Sequence, residues 1–533
     1  MESVTISHMT SLYRLVRAAL VVLAASWLLP GPAAAQPTAA PQTAAARKPN
    51  IILVLADDLG YNELGVYGQK RIRTPNIDRL AQEGVRLTDH YSGSPVCAPS
   101  RAVLLTGLHT GHAYIRDNDE MGFRGDVWRD PALEGQRPLP AGTFTMAIML
   151  KRAGYATAAV GKWGLGGPGS EGEPNKLGFD LFYGFLCQRV AHNHYPAFLW
   201  RGMTPGFMAR SRGESIPPNT SRETALVKVP LDNSGIYPHE KLPADKDPKA
   251  LSSYERYGGK QYALDMMGEE ARAFIRANKD RPFFLYFAPT VPHAALQVPE
   301  DSLAEYTGAL SDTPYLGDKG YLPHRAPHAA YAAMVTRLDR EVGRLAQLVR
   351  DLGLDRDTLI VFTSDNGPTF NGGTDSAYFD SAGPFRGLKT MVYEGGIRVP
   401  MVARWPGRIP AGTVSAHASA FEDYVPTFAE MAGVARPAGI DGVSMLAALQ
   451  GREADQKRRE YLYWEFQGKQ VVRMGSWKGI RNAATGAFEL YDLGKDIGEK
   501  TNVAAAHPDI VSRLEGIMRT ARTESALFPL VKR

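Results

Sequence analysis

Acidic and amide side chains follow two long apolar segments of this 533-residue chain: Asp57 and Asp58 end one segment, and Asp365 and Asn366 end the other. Unbroken apolar segments of this length are typical of strands buried on both faces of a parallel sheet, whose carboxyl ends meet at one edge. Carboxylate and amide oxygens favour a hard cation, Ca²⁺ or Mg²⁺, over zinc. An isolated Asp-Asn-Gly also forms turns, but two such pairs after buried strands predict a metal site.

A cysteine lies in a short polar motif, Cys97-Ala-Pro-Ser-Arg101. One alternative is that Cys97 is simply a small buried residue, as most free cysteines are. Another is a disulfide with Cys187, the second cysteine of the chain. The motif resembles the signature of the formylglycine-dependent sulfatases, arylsulfatase-like members of the alkaline phosphatase superfamily. In that family the cysteine is oxidised after translation to an aldehyde. The resemblance extends from about Lys48 to Asn502 and covers nearly all of the chain after its first segment.

The resemblance implies a mechanism for residue 97. The hydrated aldehyde carries two hydroxyls on one carbon, of which one attacks sulfur and the other expels sulfate by carbon–oxygen cleavage. It further implies that Cys97 is a metal ligand as 3-oxoalanine beside Asp57, Asp58, Asp365 and Asn366, that the ion is calcium, and that a formylglycine-generating enzyme acts during maturation. Under this interpretation Cys187 stays a buried thiol.

Cations must offset the charge of a sulfate ester. By resemblance, Arg101 hydrogen-bonds the formylglycine, Lys162 and Lys389 bind the sulfate, and His293 protonates the leaving oxygen. The ordinary imidazole pKa, near 6.5, suits that last role. A lysine is more often a solvated surface charge, but glycine neighbours and a position after a strand favour a functional role for Lys162.

The sequence departs from the family at one position, since Gly164 stands where many sulfatases have a histidine that accepts the proton as sulfate leaves. Another base must then serve, or the step proceeds differently. The possible substitutes are His109, His112, His192 and His194. For each of them a structural or surface role is a full alternative, and His192 is the preferred substitute.

Strand and helix patterns alternate along the chain, which predicts a doubly wound α/β sandwich of the alkaline-phosphatase type with a large, mostly parallel sheet. Residues 49–415 are predicted to form the catalytic domain. Within it, residues 188–257 lack periodicity and predict an irregular surface segment that shapes a substrate site. Short aromatic and β-branched segments followed by a helix predict a smaller antiparallel subdomain over residues 416–533.

Residues 1–35 are typical of a cleavable export signal, because arginines precede a short apolar run, and a Pro-Gly-Pro break and then Ala-Ala-Ala follow it. The run is too short for a stable membrane span, and residues 36–48 predict a flexible lead-in. We therefore expect a periplasmic or secreted protein. A net charge of +5, without a basic cluster, gives no reason to expect nucleic acid as a ligand.

The predicted function is hydrolysis of sulfate esters on a small molecule or glycan. Two alternatives stay open: a phosphonate or phosphodiester hydrolase of the same superfamily, and a sulfated-glycan-binding relative without turnover, which the missing histidine at Gly164 would explain. The sequence does not select between an aryl sulfate and a sulfated sugar, because fold likeness does not fix specificity. The oligomeric state is equally open.

Overall fold

In the computed structural model, the described residues form sixteen strands in three sheets. The described residues are 47–119, 136–204, 207, 225–236 and 239–531. The predicted signal peptide and the lead-in through residue 46 lie outside them. In chain order the strands are β1 (Asn50–Ala56), β2 (Val85–Leu87), β3 (His90–Tyr91), β4 (Ala156–Lys162), β5 (Leu181–Phe185), β6 (Phe198–Met203), β7 (Ala225–Pro230), β8 (Phe283–Ala288), β9 (Thr358–Ser364), β10 (Met401–Arg404), β11 (Thr413–Ser415), β12 (Ser419–Ala420), β13 (Leu462–Phe466), β14 (Lys469–Met474), β15 (Trp477–Asn482) and β16 (Phe488–Asp492).

The large sheet has the strand order β11-β2-β10-β9-β1-β8-β4-β5-β6-β7. Its five middle strands, β9 to β5 in that order, run parallel. All seven residues of β1 are buried, as are those of β4, β8 and β9. Burial on both faces explains the unbroken apolar segments of the sequence and confirms the predicted α/β class.

Helices cover both faces of this sheet. In β1, Ile52, Val54 and Ala56 belong to one apolar core, and Ile51 and Leu53 belong to the opposite core. The described α-helices are Pro75–Gln82, Cys97–Thr106, Met146–Arg152, Ala263–Ala277, Glu300–Leu303, Pro327–Asp351, Glu394–Ile397, Tyr424–Met431, Leu446–Leu449 and Pro508–Thr520. Because successive side chains of a strand point to opposite faces, the residues of β1 contribute alternately to the two cores.

The segment 188–257, predicted to be irregular, contributes β6 and β7 to the edge of the large sheet. Both strands pair antiparallel through backbone hydrogen bonds, which require no particular side chain. Their side chains are only partly buried, so no apolar alternation marks them in the sequence. The prediction of a wholly irregular segment was wrong for this reason.

The small C-terminal sheet is antiparallel, in the order β13-β14-β15-β16, as predicted. Helix Pro508–Thr520 packs on it through Leu514 and Met518. Helix Tyr424–Met431, by contrast, lies in the core of the large sheet, although it follows the predicted domain boundary at residue 416. Within the described residues, no helix is both long and apolar enough to cross a bilayer.

Candidate functional site

The carboxyl ends of β1 and β9 bring the two acidic pairs together. The strands are parallel neighbours in the register Ala56 to Ser364, and the Asp58 backbone N–H donates to Asp365 Oδ1 at 3.1 Å. Asp58 has φ of +66°, in the left-handed region, so the chain turns immediately after β1. This turn removes the strand alternation that would send Asp57 and Asp58 to opposite faces.

The predicted metal ligands fit a hard cation. Asp57, Asp58, Asp365 and Asn366 are all fully buried. The Asn366 amide nitrogen donates to Asp58 Oδ1 at 2.8 Å, whereas its carbonyl oxygen has no hydrogen-bond partner among the described residues. A buried amide oxygen without a partner is rare in folded proteins. Together with three carboxylates it forms an all-oxygen donor set of the kind that Ca²⁺ or Mg²⁺ prefers.

Cys97 begins helix Cys97–Thr106 directly beside these acids. Its Sγ lies 3.6 Å from Asp57 Oδ1, 3.9 Å from Asp58 Oδ1 and 3.6 Å from Lys389 Nζ. Burial raises the pKa of the Cys97 thiol to about 12, so the unmodified thiol is protonated at neutral pH. Cys97 and Cys187 are both buried and are not joined to each other, which rules out the alternative of a disulfide between them.

Arg101 lies one helical turn after Cys97 and is fully buried. Its Nε and NH2 donate to Asp365 Oδ2 at 3.1 and 2.8 Å, and NH1 donates to the Lys162 backbone oxygen at 2.7 Å. Arg101 thereby ties the ends of β4 and β9 together, and its predicted hydrogen bond to the formylglycine stays a prediction.

Lys162 ends β4 and forms a buried ion pair with Asp57, with Nζ 2.7 Å from Oδ2. Burial alone would raise the pKa of Asp57, but the positive charges of Lys162 and Arg101 outweigh it and hold that pKa well below its usual range. Burial would likewise lower the pKa of Lys162, and the Asp57 carboxylate more than compensates. Both groups therefore stay ionised, and Lys162 is engaged by Asp57 behind the cavity described below.

Lys389 and His293 form the second half of the cluster. Lys389 Nζ donates to Asp58 Oδ2 at 2.7 Å and lies 3.1 Å from His293 Nε2. His293 Nε2 is also 3.3 Å from Asp58 Oδ2, and Nδ1 contacts the Ala294 carbonyl oxygen. Burial, only partly opposed by Asp58, lowers the pKa of His293 to about 3. The ring is therefore neutral in the protein as described.

A cavity of about 340 Å³ opens over Cys97, Lys389 and His293. His192, the preferred substitute for the missing histidine, lies in its wall and stacks on His293, with ring centroids 3.7 Å apart. Ten residues, His192 among them, complete the lining. They are Asn118, Gln188, Arg189, His192, His239, Tyr321, Thr369, Phe370, Asn371 and Thr390.

Three of the proposed histidines lie elsewhere. His194 is behind the wall, where Nε2 is 2.9 Å from the His293 carbonyl oxygen and Nδ1 is 3.0 Å from Thr290 Oγ1. His109 and His112 follow the far end of the helix that begins at Cys97, and both contact Asp441. A helix of ten residues is about 15 Å long, so these two histidines cannot reach the cavity. The structure therefore does not bring these two predicted residues to the site.

Sequence reasoning missed several residues of the cavity. Asn118 Oδ1 accepts from the Ala98 backbone N–H at 3.0 Å, next to Cys97. The Tyr321 ring lies 5.8 Å from the His293 ring and 5.7 Å from that of His192. Both residues come from loops without periodicity. No spacing in the sequence connects them with the strand ends.

Comparisons with known proteins agree with this geometry. The family model described as Sulfatase matches residues 49–434, and one described as N-sulphoglucosamine sulphohydrolase, C-terminal, matches residues 385–524. Human arylsulfatase A is 33% identical over 508 residues, covering 89% of this chain and 87% of the relative.

A bacterial relative and a solved structure extend the likeness. N-acetylgalactosamine-6-O-sulfatase of Bacteroides thetaiotaomicron is 29% identical over 522 residues, covering 90% of this chain and 94% of the relative. The crystal structure of Ps i-CgsB in complex with k-i-k-neocarrahexaose superposes with a TM-score of 0.65 at 28% identity, covering 90% of this chain and 94% of the other.

Proposed function

This chain belongs to the sulfatase family and is a sulfuric ester hydrolase, and from that premise we propose that it removes sulfate from a sulfated carbohydrate with a formylglycine made from Cys97 and a bound Ca²⁺ ion. The observation that carries the proposal is the position of Cys97. Its side chain lies between two carboxylates and Lys389, at the floor of a polar cavity.

The formylglycine hydrate would supply a nucleophilic hydroxyl for attack on sulfur. The surrounding side chains determine which charge a ligand must carry to bind in the cavity. Asp57, Asp58 and Asp365 are balanced by Arg101, Lys162 and Lys389. A divalent ion held by the three aspartates and Asn366 would make the cluster cationic and polarise a sulfate oxygen. Such a floor attracts the anionic group of a sulfate ester and disfavours neutral esters.

Lys389 is the cation that reaches the substrate. Its side chain is 12% exposed, whereas that of Lys162 is fully buried. With Nζ 3.6 Å from Cys97 Sγ, Lys389 lies where charge develops as a nucleophile at residue 97 attacks. A preorganised ammonium group at that point stabilises the transition state without reorganisation.

His293 is the proton donor to the leaving oxygen. Its Nε2 is 3.1 Å from Lys389 Nζ, so it is close to the same reacting centre. Because burial lowers the pKa of His293 to about 3, the ring must gain its proton in the complex. The negative charge of an entering sulfate favours that protonation.

The lining of the cavity supports a sugar as the group that carries the sulfate. Polar side chains suited to hydroxyl groups predominate, among them Asn118, Gln188 and Asn371, and Arg189 adds a positive charge. Tyr321 and His239 contribute stacked rings 5.1 Å apart. Polar groups next to aromatic faces suit an oligosaccharide better than a flat apolar aryl group.

Export and maturation are part of the proposal. The basic, apolar and Ala-rich order of residues 1–35 supports a cleaved signal peptide, and therefore a periplasmic or secreted enzyme. The Cys97 motif supports a formylglycine-generating enzyme as its partner before folding is complete, because Cys97 is fully buried afterwards.

Mass spectrometry of the tryptic peptide that contains residue 97 tests the modification. Conversion of cysteine to the aldehyde removes about 18 Da. An unmodified thiol, from a host that converts a control sulfatase, would contradict the formylglycine proposal. For the ion, dialysis against a chelator should remove turnover and added Ca²⁺ should restore it, while Asn366→Ala should weaken the recovery.

Substrate class is tested by turnover of paired compounds. A phenyl sulfate and the matching phenyl phosphate separate a sulfatase from a phosphoester hydrolase. A 6-O-sulfated N-acetylgalactosamine tested beside the aryl sulfate separates a sugar substrate from an aryl one, and a higher kcat/KM for the aryl sulfate would contradict the carbohydrate proposal. A modified, metal-loaded sample that binds sulfated sugars without turnover would instead support the glycan-binding alternative.

A further inference from the structure

Gln188 is a buried residue of the cavity wall whose side chain is only partly satisfied. It is 3% exposed, and its side-chain oxygen Oε1 has no hydrogen-bond partner among the residues that the structure describes. A buried carbonyl oxygen without a partner costs stability. Such an atom is retained in a stable fold when a ligand or a reacting group supplies the missing donor.

The position of Gln188 follows from the large sheet. Gly164 lies just beyond β4 and Gln188 just beyond β5, and these two strands are parallel neighbours. The pairing continues past the strand ends, because the Gly164 N–H donates to the Leu186 oxygen at 3.0 Å. The Gln188 backbone N–H donates to Gln136 Oε1 at 3.2 Å, which anchors the residue from the other side.

Gly164 and Gln188 share one space. A Cβ atom added at position 164 would lie 3.5 Å from both Cβ and Oε1 of Gln188. Any longer side chain at 164 would therefore compete with the Gln188 side chain for that space. Gly164 also has φ of +78°, a conformation that favours glycine. The glycine thus leaves open the room that the glutamine side chain fills.

We propose that Gln188 Oε1 is a hydroxyl-binding acceptor of the catalytic cavity, placed where a side chain at position 164 would otherwise project. The inference rests on the proposed function. The hydroxyl has two possible sources: the hydrated form of residue 97, or a hydroxyl of the sugar that carries the sulfate. An amide oxygen does not take up a proton at neutral pH, so Gln188 orients the hydroxyl and is a positioning residue.

The substitution Gln188→Met tests this role, because methionine has nearly the same length and lacks the acceptor. Gln470→Met is the matched control: Gln470 is equally buried, at 3% exposed, but its amide nitrogen donates to Tyr463 Oη and to the Met518 oxygen at 3.0 and 2.8 Å. Both variants and the unchanged protein are compared in kcat, KM and melting temperature, with an aryl sulfate and a sulfated sugar.

We expect Gln188→Met to lower kcat/KM about ten- to a hundredfold, the loss of one hydrogen bond in a dry site, while its melting temperature is unchanged or higher. Gln470→Met should show the opposite pattern, with unchanged kcat/KM and a melting temperature about 1–3 °C lower. A loss of kcat with both substrates identifies the hydroxyl on residue 97. A loss confined to the sulfated sugar identifies a sugar hydroxyl.

The inference is overturned if Gln188→Met turns over both substrates as the unchanged protein does, or if it loses as much thermal stability as Gln470→Met. The second result would show that the Gln188 amide is satisfied within the fold. Absence of turnover in the unchanged, modified protein would contradict the proposed function instead. The melting temperatures would still test Gln188 in that case, because they do not depend on catalysis.

Discussion

Two buried ionic clusters in this molecule differ in what their charges face. The catalytic cluster of Asp57, Asp58, Lys162 and Lys389 lies under a cavity and includes reactive groups at its surface. The second cluster is centred on Glu394, at the junction with the small C-terminal sheet. Both contain carboxylates with no exposed surface that are paired with lysine.

In the second cluster, the central carboxylate is satisfied on both oxygens. Glu394 Oε1 accepts from Lys478 Nζ at 2.9 Å, and Oε2 accepts from Tyr91 Oη at 2.6 Å and from Arg398 NH1 at 3.0 Å. Burial would raise the pKa of Glu394, but Lys478 and Arg398 outweigh it and hold that pKa at about 2. The carboxylate at the centre of this cluster is therefore fully satisfied by its own partners.

The catalytic cluster, by contrast, includes buried hydrogen-bond acceptors that are not satisfied. The Asn366 amide oxygen and the Gln188 amide oxygen are buried without partners among the described residues. The comparison teaches that burial and charge alone do not identify a functional site. What distinguishes the catalytic cluster is that its amide oxygens without partners lie beside a reactive side chain under a cavity, whereas the second cluster is centred on a carboxylate that is fully paired.

The largest expected effect is that of Cys97→Ala, which should abolish turnover while the melting temperature changes little, because only one small side-chain atom is lost. Turnover of an aryl sulfate and a thermal melt measure both properties. Cys187→Ala is the control, since Cys187 is equally buried but lies in the apolar core. Substantial turnover by Cys97→Ala would refute the role given to residue 97.

Lys389→Ala and His293→Ala should each lower kcat by about two to four orders of magnitude, the size of electrostatic and general-acid contributions. Lys389→Ala also leaves the Asp58 carboxylate without one of its cations, so sulfate binding should weaken and KM should rise. Steady-state kinetics with one substrate separate the two effects. Unchanged kcat in either variant would remove that residue from the mechanism.

Lys478→Met, in the second cluster, should show the reverse pattern to Cys97→Ala: a loss of stability without a loss of turnover. It leaves buried Glu394 without its lysine, and breaking a buried pair of this kind destabilises a fold by about 3–5 kcal/mol. We expect a lower urea midpoint, with kcat of the folded protein unchanged because Lys478 is not among the described residues that line the cavity. A fall in kcat with no change of stability would contradict the division between the two clusters.

His112→Ala should have the smallest effect. His112 Nδ1 is 2.9 Å from Asp441 Oδ1, and one partly exposed hydrogen bond contributes about 1 kcal/mol. Thermal melts should show a small decrease and kinetics no change. A tenfold loss of kcat/KM would restore His112 to the list of functional histidines.

Much of the fold followed from patterns in the sequence. The apolar segments that become β1 and β9 are buried on both faces, as their unbroken apolar patterns predict. Strands β6 and β7 were missed because their pairing depends on the backbone of a neighbouring edge. The apolar periodicity of a sequence reflects which side chains are buried, and the side chains of these edge strands are only partly buried.

The sequence by itself determined the family, the sheet class and the positions of the reactive groups, because Cys97, Asp57, Asp58, Asp365 and Asn366 stand in local motifs next to strand and helix ends. Only the tertiary structure decided how those groups are used. It engaged Arg101 with Asp365, separated His109 and His112 from the cavity by the length of a helix, and placed Gln188 beside Gly164. These outcomes depend on distances between strands and loops far apart in the chain, which no local spacing encodes.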